Sequence, residues 1–201
     1  TKKTKKITSS GVVRAVACNK SGGTTLDIEC SSFKGNGKYT FTGSLGDVTK
    51  ESIEVAISYI KSNSKLLNID EDFFMTHDIH IHFTEGSSPK DGPSAGTALF
   101  LSILSAAVNK PVTTDDKYDL AFTGEIGLTG SVFAVGGVLE KLQAASDSGC
   151  TKVFIPMQNY ERLEQNMIND FDCEVIGVSH ISEIVETVYP DFKENSYEET
   201  I

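Results

Sequence analysis

The sequence predicts an α+β domain, with an antiparallel sheet at the N-terminal end followed by mixed strands and helices. Three observations predict it. Short apolar runs separated by turn residues fill positions 12–42. Apolar residues then recur at helical spacing, first at Ile53, Ala56, Ile57 and Ile60. From Asp78 onward, strand-like and helix-like segments follow one another without a long linker.

Val12, Val13, Val16 and Ala17 open a first strand after Gly11, and Ser21-Gly22-Gly23 turns the chain. Leu26, Ile28 and Cys30 alternate as a second strand, and Gly35-Asn36-Gly37 makes the next turn. A third strand over 39–42 is expected to complete an antiparallel meander. Asp47 is a candidate N-cap for a helix over 47–65. Residues 78–83 alternate with period two, setting Ile79, Ile81 and Phe83 on one face and Asp78, His80 and His82 on the other. A loop over 84–92 leads to a helix over 93–108, with Pro93 tolerated in its first turn. Further on, the pattern predicts a short strand at 120–123, a hairpin over 126–135 around Thr129-Gly130 and a helix over 138–147 stopped near Gly149. A strand at 152–155, a helix at 158–167, a strand at 173–176 and a helix at 181–188 complete it. Residues from Pro190 onward are acidic and are expected to fray.

The chain has 201 residues, of which 39% are hydrophobic, enough for one domain with a substantial core and no staples. Its formal charge is −10, and Lys2, Lys3, Lys5 and Lys6 supply four of the 18 basic residues, so the rest of the chain is more acidic still. An acidic body argues against nucleic acid as a partner, because phosphate binding needs a basic surface. Cys18, Cys30, Cys150 and Cys173 form no CxxC pair and no zinc-ligand spacing with histidine, and read as reduced, mostly packing residues. No apolar run approaches the ~20 residues that cross a bilayer, and no secretory h-region is present.

One segment carries chemistry. Pro89-Lys90-Asp91-Gly92-Pro93-Ser94-Ala95-Gly96 places a serine at the start of an apolar helix, behind a Gly/Pro loop. Unsatisfied N–H groups and the positive end of the helix dipole there can hold an oxyanion. Gly92 and Gly96 leave room for a substrate backbone. Taken alone, Ser94 reads equally as a helix cap.

A serine hydroxyl needs a base. Lys141, in the first turn or so of the 138–147 helix, is one candidate. A free lysine titrates near ~10.4, so a basic role near neutrality needs a fall of about 2.5–3.5 pH units, roughly 3.5–5 kcal/mol. Burial without a carboxylate partner can supply it. Taken alone, Lys141 also reads as an exposed charge on an amphipathic helix. His80 and His82, with Asp78 or Asp91 as orienter, offer a histidine triad instead. Two histidines two apart on a strand could also ligate a metal, but no third ligand is evident.

These residues, together with Ser44-Leu45-Gly46-Asp47-Val48, Glu85-Gly86, Thr123-Gly124-Glu125-Ile126 and Gly136-Gly137 ahead of Glu140-Lys141, resemble the proteolytic domain of Lon proteases in order and spacing, over about residues 11–188. The resemblance implies a Ser94–Lys141 dyad on the ribosomal-protein-like Lon fold, with Thr123 orienting the lysine and Asp91, Gly92, His80 and His82 supporting the site. It implies an ATP-dependent, cytoplasmic, hexameric serine endopeptidase that cleaves unfolded or regulatory proteins, with no metal in this domain. Ala134 stands where the family usually has proline. No GxxxxGK[ST] phosphate loop occurs, so ATP and magnesium are expected only in an ATPase module outside this chain. Residues 1–10 then read as the end of a linker from that module, and 189–201 as an acidic tail. Two rival readings are a small-molecule kinase of related fold, which Asp91 disfavours by repelling phosphate, and a catalytically silent binding module.

Overall fold

A computed structural model describes residues 6–19, 21–84, 92–113 and 119–192. β1 (Val12–Asn19) and β2 (Gly22–Lys34) form an antiparallel hairpin in which Ala15 faces Leu26 and Cys18 faces Gly23. The expected meander does not follow. β4 (His77–Phe83) takes the place beside β2, antiparallel, with Cys30 opposite Ile81. β3 (Tyr39–Thr42) lies outside it and runs parallel to β4. Burial explains the exchange. Ile79, Ile81 and Phe83 are at most 2% exposed, whereas Tyr39 and Phe41 are only half-buried, so β4 is the better interior strand. The intervening α1 (Asp47–Ser62) and α2 (Phe73–Thr76) supply the long crossover that a parallel pair requires.

α1 stops three residues short of its expected end, and Gly46 rather than Asp47 is its N-cap. Asp47 sits instead in the first turn, where a carboxylate favours the dipole. α3 (Gly96–Val108) begins three residues later than expected. Pro93, Ser94 and Ala95 form a turn ahead of it, in which the Gly96 N–H donates to the Pro93 carbonyl at 3.2 Å. Backbone bonds from Gly124 to Ser94 and from Thr97 to Gly124 favour that turn over a longer helix.

β5 (Leu120–Phe122), β8 (Lys152–Pro156) and β9 (Glu174–Val178) extend the sheet in parallel, giving the order β3-β4-β2-β1-β5-β8-β9. A hairpin of β6 (Glu125–Ile126) and β7 (Val132–Phe133) stands apart from it. α4 (Val138–Asp147) has its expected bounds, and Gly149 follows its Ser148 cap. The helix expected over 158–167 is broken into α5 (Met157–Arg162) and α6 (Gln165–Asn169), because Leu163 and Glu164 are extended. α7 (Ile181–Val188) closes the fold. Tyr189 and Phe192 stack with centroids 4.8 Å apart and are buried, so the expected fraying does not begin at Pro190.

The sheet separates two apolar layers. On one face α1, α3 and α7 pack over Val13, Ala15, Ile28, Ile81 and Phe122. On the other, α4 covers Val16, Ala121, Val153 and Ile155. Strands β5 and β8 are therefore buried on both faces, which accounts for their continuous apolar runs. β4 keeps a clean alternation of buried and half-buried residues. Among the described residues no helix is long and apolar enough to cross a membrane.

Candidate active site

Parallel pairing of β1 with β5, Ala15 beside Phe122, brings the carboxyl ends of both strands to one edge of the sheet. Open α/β sheets characteristically place their sites at such an edge. Thr123 is the first residue beyond β5 and is 1% exposed. Its N–H donates to the Phe154 carbonyl at 3.1 Å, which ties it to β8.

Lys141 arrives from the α4 side of the sheet. It is the fourth residue of α4, its N–H closing the first turn on the Gly137 carbonyl at 3.0 Å. The side chain is 3% exposed, and Nζ donates to Thr123 Oγ1 at 3.2 Å. Among the described residues no carboxylate pairs with it. Burial pushes the Lys141 amine below its ordinary value of 10.5, and the nearby charge of Cys18 opposes that fall.

Ser94 arrives from the α3 side, in the turn ahead of the helix, and is half-buried. Its carbonyl accepts the Gly124 N–H at 2.9 Å and the Thr123 hydroxyl at 3.4 Å. Three residues on, the Thr97 N–H donates to the Gly124 carbonyl at 3.0 Å. Segments 94–97 and 123–124 are thus laced together by backbone bonds. Gly96 permits the approach: a Cβ there would sit 2.9 Å from the Ile126 nitrogen. Thr123 consequently touches both expected partners, accepting from Lys141 and donating to Ser94. Among the described residues, no hydrogen bond joins the Ser94 hydroxyl to Lys141 directly.

The remaining expected site residues are placed differently. Gly92 has φ +137°, and its carbonyl accepts the Thr49 hydroxyl at 3.4 Å. Asp91 lies outside the described residues. His80 and His82 are on the face of β4 away from α3, and both rings bond Thr42 Oγ1, at 2.9 and 2.6 Å. Asp78 is occupied elsewhere. Its Oδ1 accepts the N–H groups of Asn36, Gly37 and Lys38 at 2.9, 3.1 and 2.9 Å, bonds that hold its carboxyl below the usual range. From its place in β4 it ties down the 36–38 turn, and among the described residues it bonds no histidine. Among the described residues no cluster of three His, Cys, Asp or Glu could hold a metal.

The sequence reasoning missed Cys18. It was grouped with packing residues, yet it is exposed while Cys30, Cys150 and Cys173 are buried. Its nearness to Lys141 follows from the β1–β5 pairing, which no local pattern announces.

Comparison with known proteins identifies the family. The family model described as the Lon protease (S16) C-terminal proteolytic domain matches residues 1–190. A Lon protease of Clostridioides difficile (strain 630) is 44% identical over 187 residues, 92% of this chain and 23% of that protein. One of Lachnoclostridium phytofermentans is 46% identical over 178 residues, 87% of this chain and 21% of that protein. One of Vibrio parahaemolyticus is 45% identical over 176 residues, 87% of this chain and 22% of that protein. The chain spans about a quarter of the length of these relatives.

Proposed function

The chain belongs to the Lon protease (S16) family as its C-terminal proteolytic domain, and from that premise we propose that it is a serine endopeptidase working through a Ser94–Lys141 dyad. One observation carries the reading. A buried lysine with no carboxylate partner among the described residues shares Thr123 with the residue that would be the nucleophile.

Hydrogen-bond direction supports it. The Thr123 proton points at the Ser94 carbonyl, so Thr123 Oγ1 can only accept from Lys141. A neutral amine that donates there keeps its lone pair for another proton, which in this reading is that of the Ser94 hydroxyl. The reaction is acyl transfer. Lys141 takes the Ser94 proton as Oγ bonds the peptide carbonyl carbon, and the carbonyl electron pair moves onto oxygen. The lysinium then protonates the leaving nitrogen as the C–N bond breaks, and water repeats the sequence on the acyl-enzyme. The Gly96 and Thr97 N–H groups are spent on the Pro93 and Gly124 carbonyls. Those of Ser94 and Ala95 donate to no partner among the described residues, which suits them to the oxyanion.

The family further suggests unfolded or regulatory polypeptides as substrates, a hexameric ring in the cytoplasm, and ATP with magnesium in a module outside this chain. Asp91, Gly92, His80 and His82 are proposed to shape the groove rather than move protons.

A serine-directed fluorophosphonate tests the dyad. It should label Ser94, at a rate that rises with pH as Lys141 loses its proton and that collapses in Lys141→Met. Labelling of another serine, or equal labelling in Lys141→Met, would overturn the reading. Thr123→Val, which deprives Lys141 of its acceptor, should lower kcat on the order of 10²-fold, as misplacement of a catalytic group does, with KM nearly unchanged. Thr123→Ser should restore most of the loss. Steady-state kinetics on a fluorogenic peptide read both.

A further inference from the structure

The first turn of α4 is held from outside by the end of the β1–β2 hairpin, through two contacts. Cys18 Sγ donates to the Gly137 carbonyl at 3.4 Å. That carbonyl is the one that accepts the Lys141 N–H at 3.0 Å. Opposite Cys18 in the hairpin register is Gly23. A Cβ on Gly23 would sit 2.2 Å from the Glu140 carbonyl oxygen, so the strand lies directly against the turn between Gly137 and Lys141. Gly137 itself has φ +64°, and a Cβ there would meet Cys18 Sγ at 2.6 Å. The thiol therefore occupies the space beside the residue that starts the helix.

We infer that Cys18, seated with Gly23 at the end of the β1–β2 hairpin, is a positioning residue for Lys141, acting through the Gly137 carbonyl. The inference rests on the reading of Lys141 as the base for its catalytic consequence, but not for its geometry. Cys18 touches no reacting atom. It sets where the helix turn stands.

The charges around Lys141 are few. From β1 the group that faces it is the Cys18 thiol, which donates to the Gly137 carbonyl. The β2 contact is Gly23, and the β5 contact is the uncharged Thr123. On α4 itself, Glu140 is exposed and Asp147 accepts from Gln143 at 2.8 Å, on a later turn. Asp91 is outside the described residues. A permanent negative charge at position 18 should hold the Lys141 proton more tightly.

Cys18→Asp, at an exposed position that can carry a carboxylate without harming the fold, is the test, with Cys18→Asn as its neutral counterpart. Two measurements are made on the whole chain. One is the pH profile of kcat/KM on a fluorogenic peptide. The other is the pH dependence of Lys141 acylation by a small amine reagent, read by mass spectrometry and independent of activity. Cys18→Asp should move the midpoint of both curves upward by about one pH unit, lowering kcat/KM roughly tenfold on the acidic limb. Cys18→Asn should leave the midpoint in place and lower kcat through loss of the thiol's seat. If neither substitution alters kcat or the acylation curve, Cys18 positions nothing and the inference fails. If the acylation midpoint moves while the kcat/KM profile stays, the inference stands and Lys141 is not the base.

Discussion

Ser94→Ala is expected to lower kcat for peptide cleavage by on the order of 10⁴-fold or more, because no other group can form the acyl-enzyme. What remains would come from oxyanion donors and substrate binding alone. KM should change little, since a single hydroxyl contributes slightly to ground-state binding. The fold should be untouched. Ser94 is held by its backbone carbonyl, through Gly124 at 2.9 Å, and alanine keeps that bond. Kinetics on a fluorogenic peptide, together with a urea unfolding curve, separate the two effects. Turnover above a tenth of wild type with normal stability would place the nucleophile elsewhere.

Lys141→Met should abolish cleavage almost as fully while making the protein more stable. In the wild type, kcat/KM should rise with pH as the amine loses its proton, at a midpoint below the ordinary 10.5 because burial disfavours the charged form. Methionine fills similar space and removes that limb of the profile. The stability sign follows from linkage. In the window between the lowered folded value and the ordinary unfolded value, the unfolded chain binds more protons, so stability rises with pH across it. Below the lowered value the folded protein bears the full cost of a buried ammonium. The urea midpoint of Lys141→Met should therefore exceed that of wild type most at acidic pH and least above 10.5. If Lys141→Met keeps its turnover while His80→Ala or His82→Ala loses it, the base is a histidine. The bonds of both rings to Thr42, and of Asp78 to the 36–38 turn, argue against that outcome.

Much of the architecture was legible because it is written in local periods. The alternation of Ile79, Ile81 and Phe83 and the helical spacing from Ile53 identified their elements, and 138–147 and 181–188 were placed to the residue. The errors share a cause. β3 was paired with its chain neighbour, α3 was extended back to Pro93, and Cys18 was taken for a packing residue. In each case a long-range partner decided: β4 displaced β3, Gly124 captured the Ser94–Thr97 segment, and α4 came to rest against the end of β1.

The amino-acid sequence by itself determined the class of the fold, the family, and the serine and lysine most worth testing, since spacing and residue type reside in the chain. Only the tertiary structure decided that Lys141 is buried, with no countercharge among the described residues, that Thr123 stands between it and Ser94, and that the β1–β2 hairpin braces the turn beneath it. Dehydration of an amine depends on what surrounds it in three dimensions, and residues 18, 94, 123 and 141 meet only because β1 and β5 run side by side.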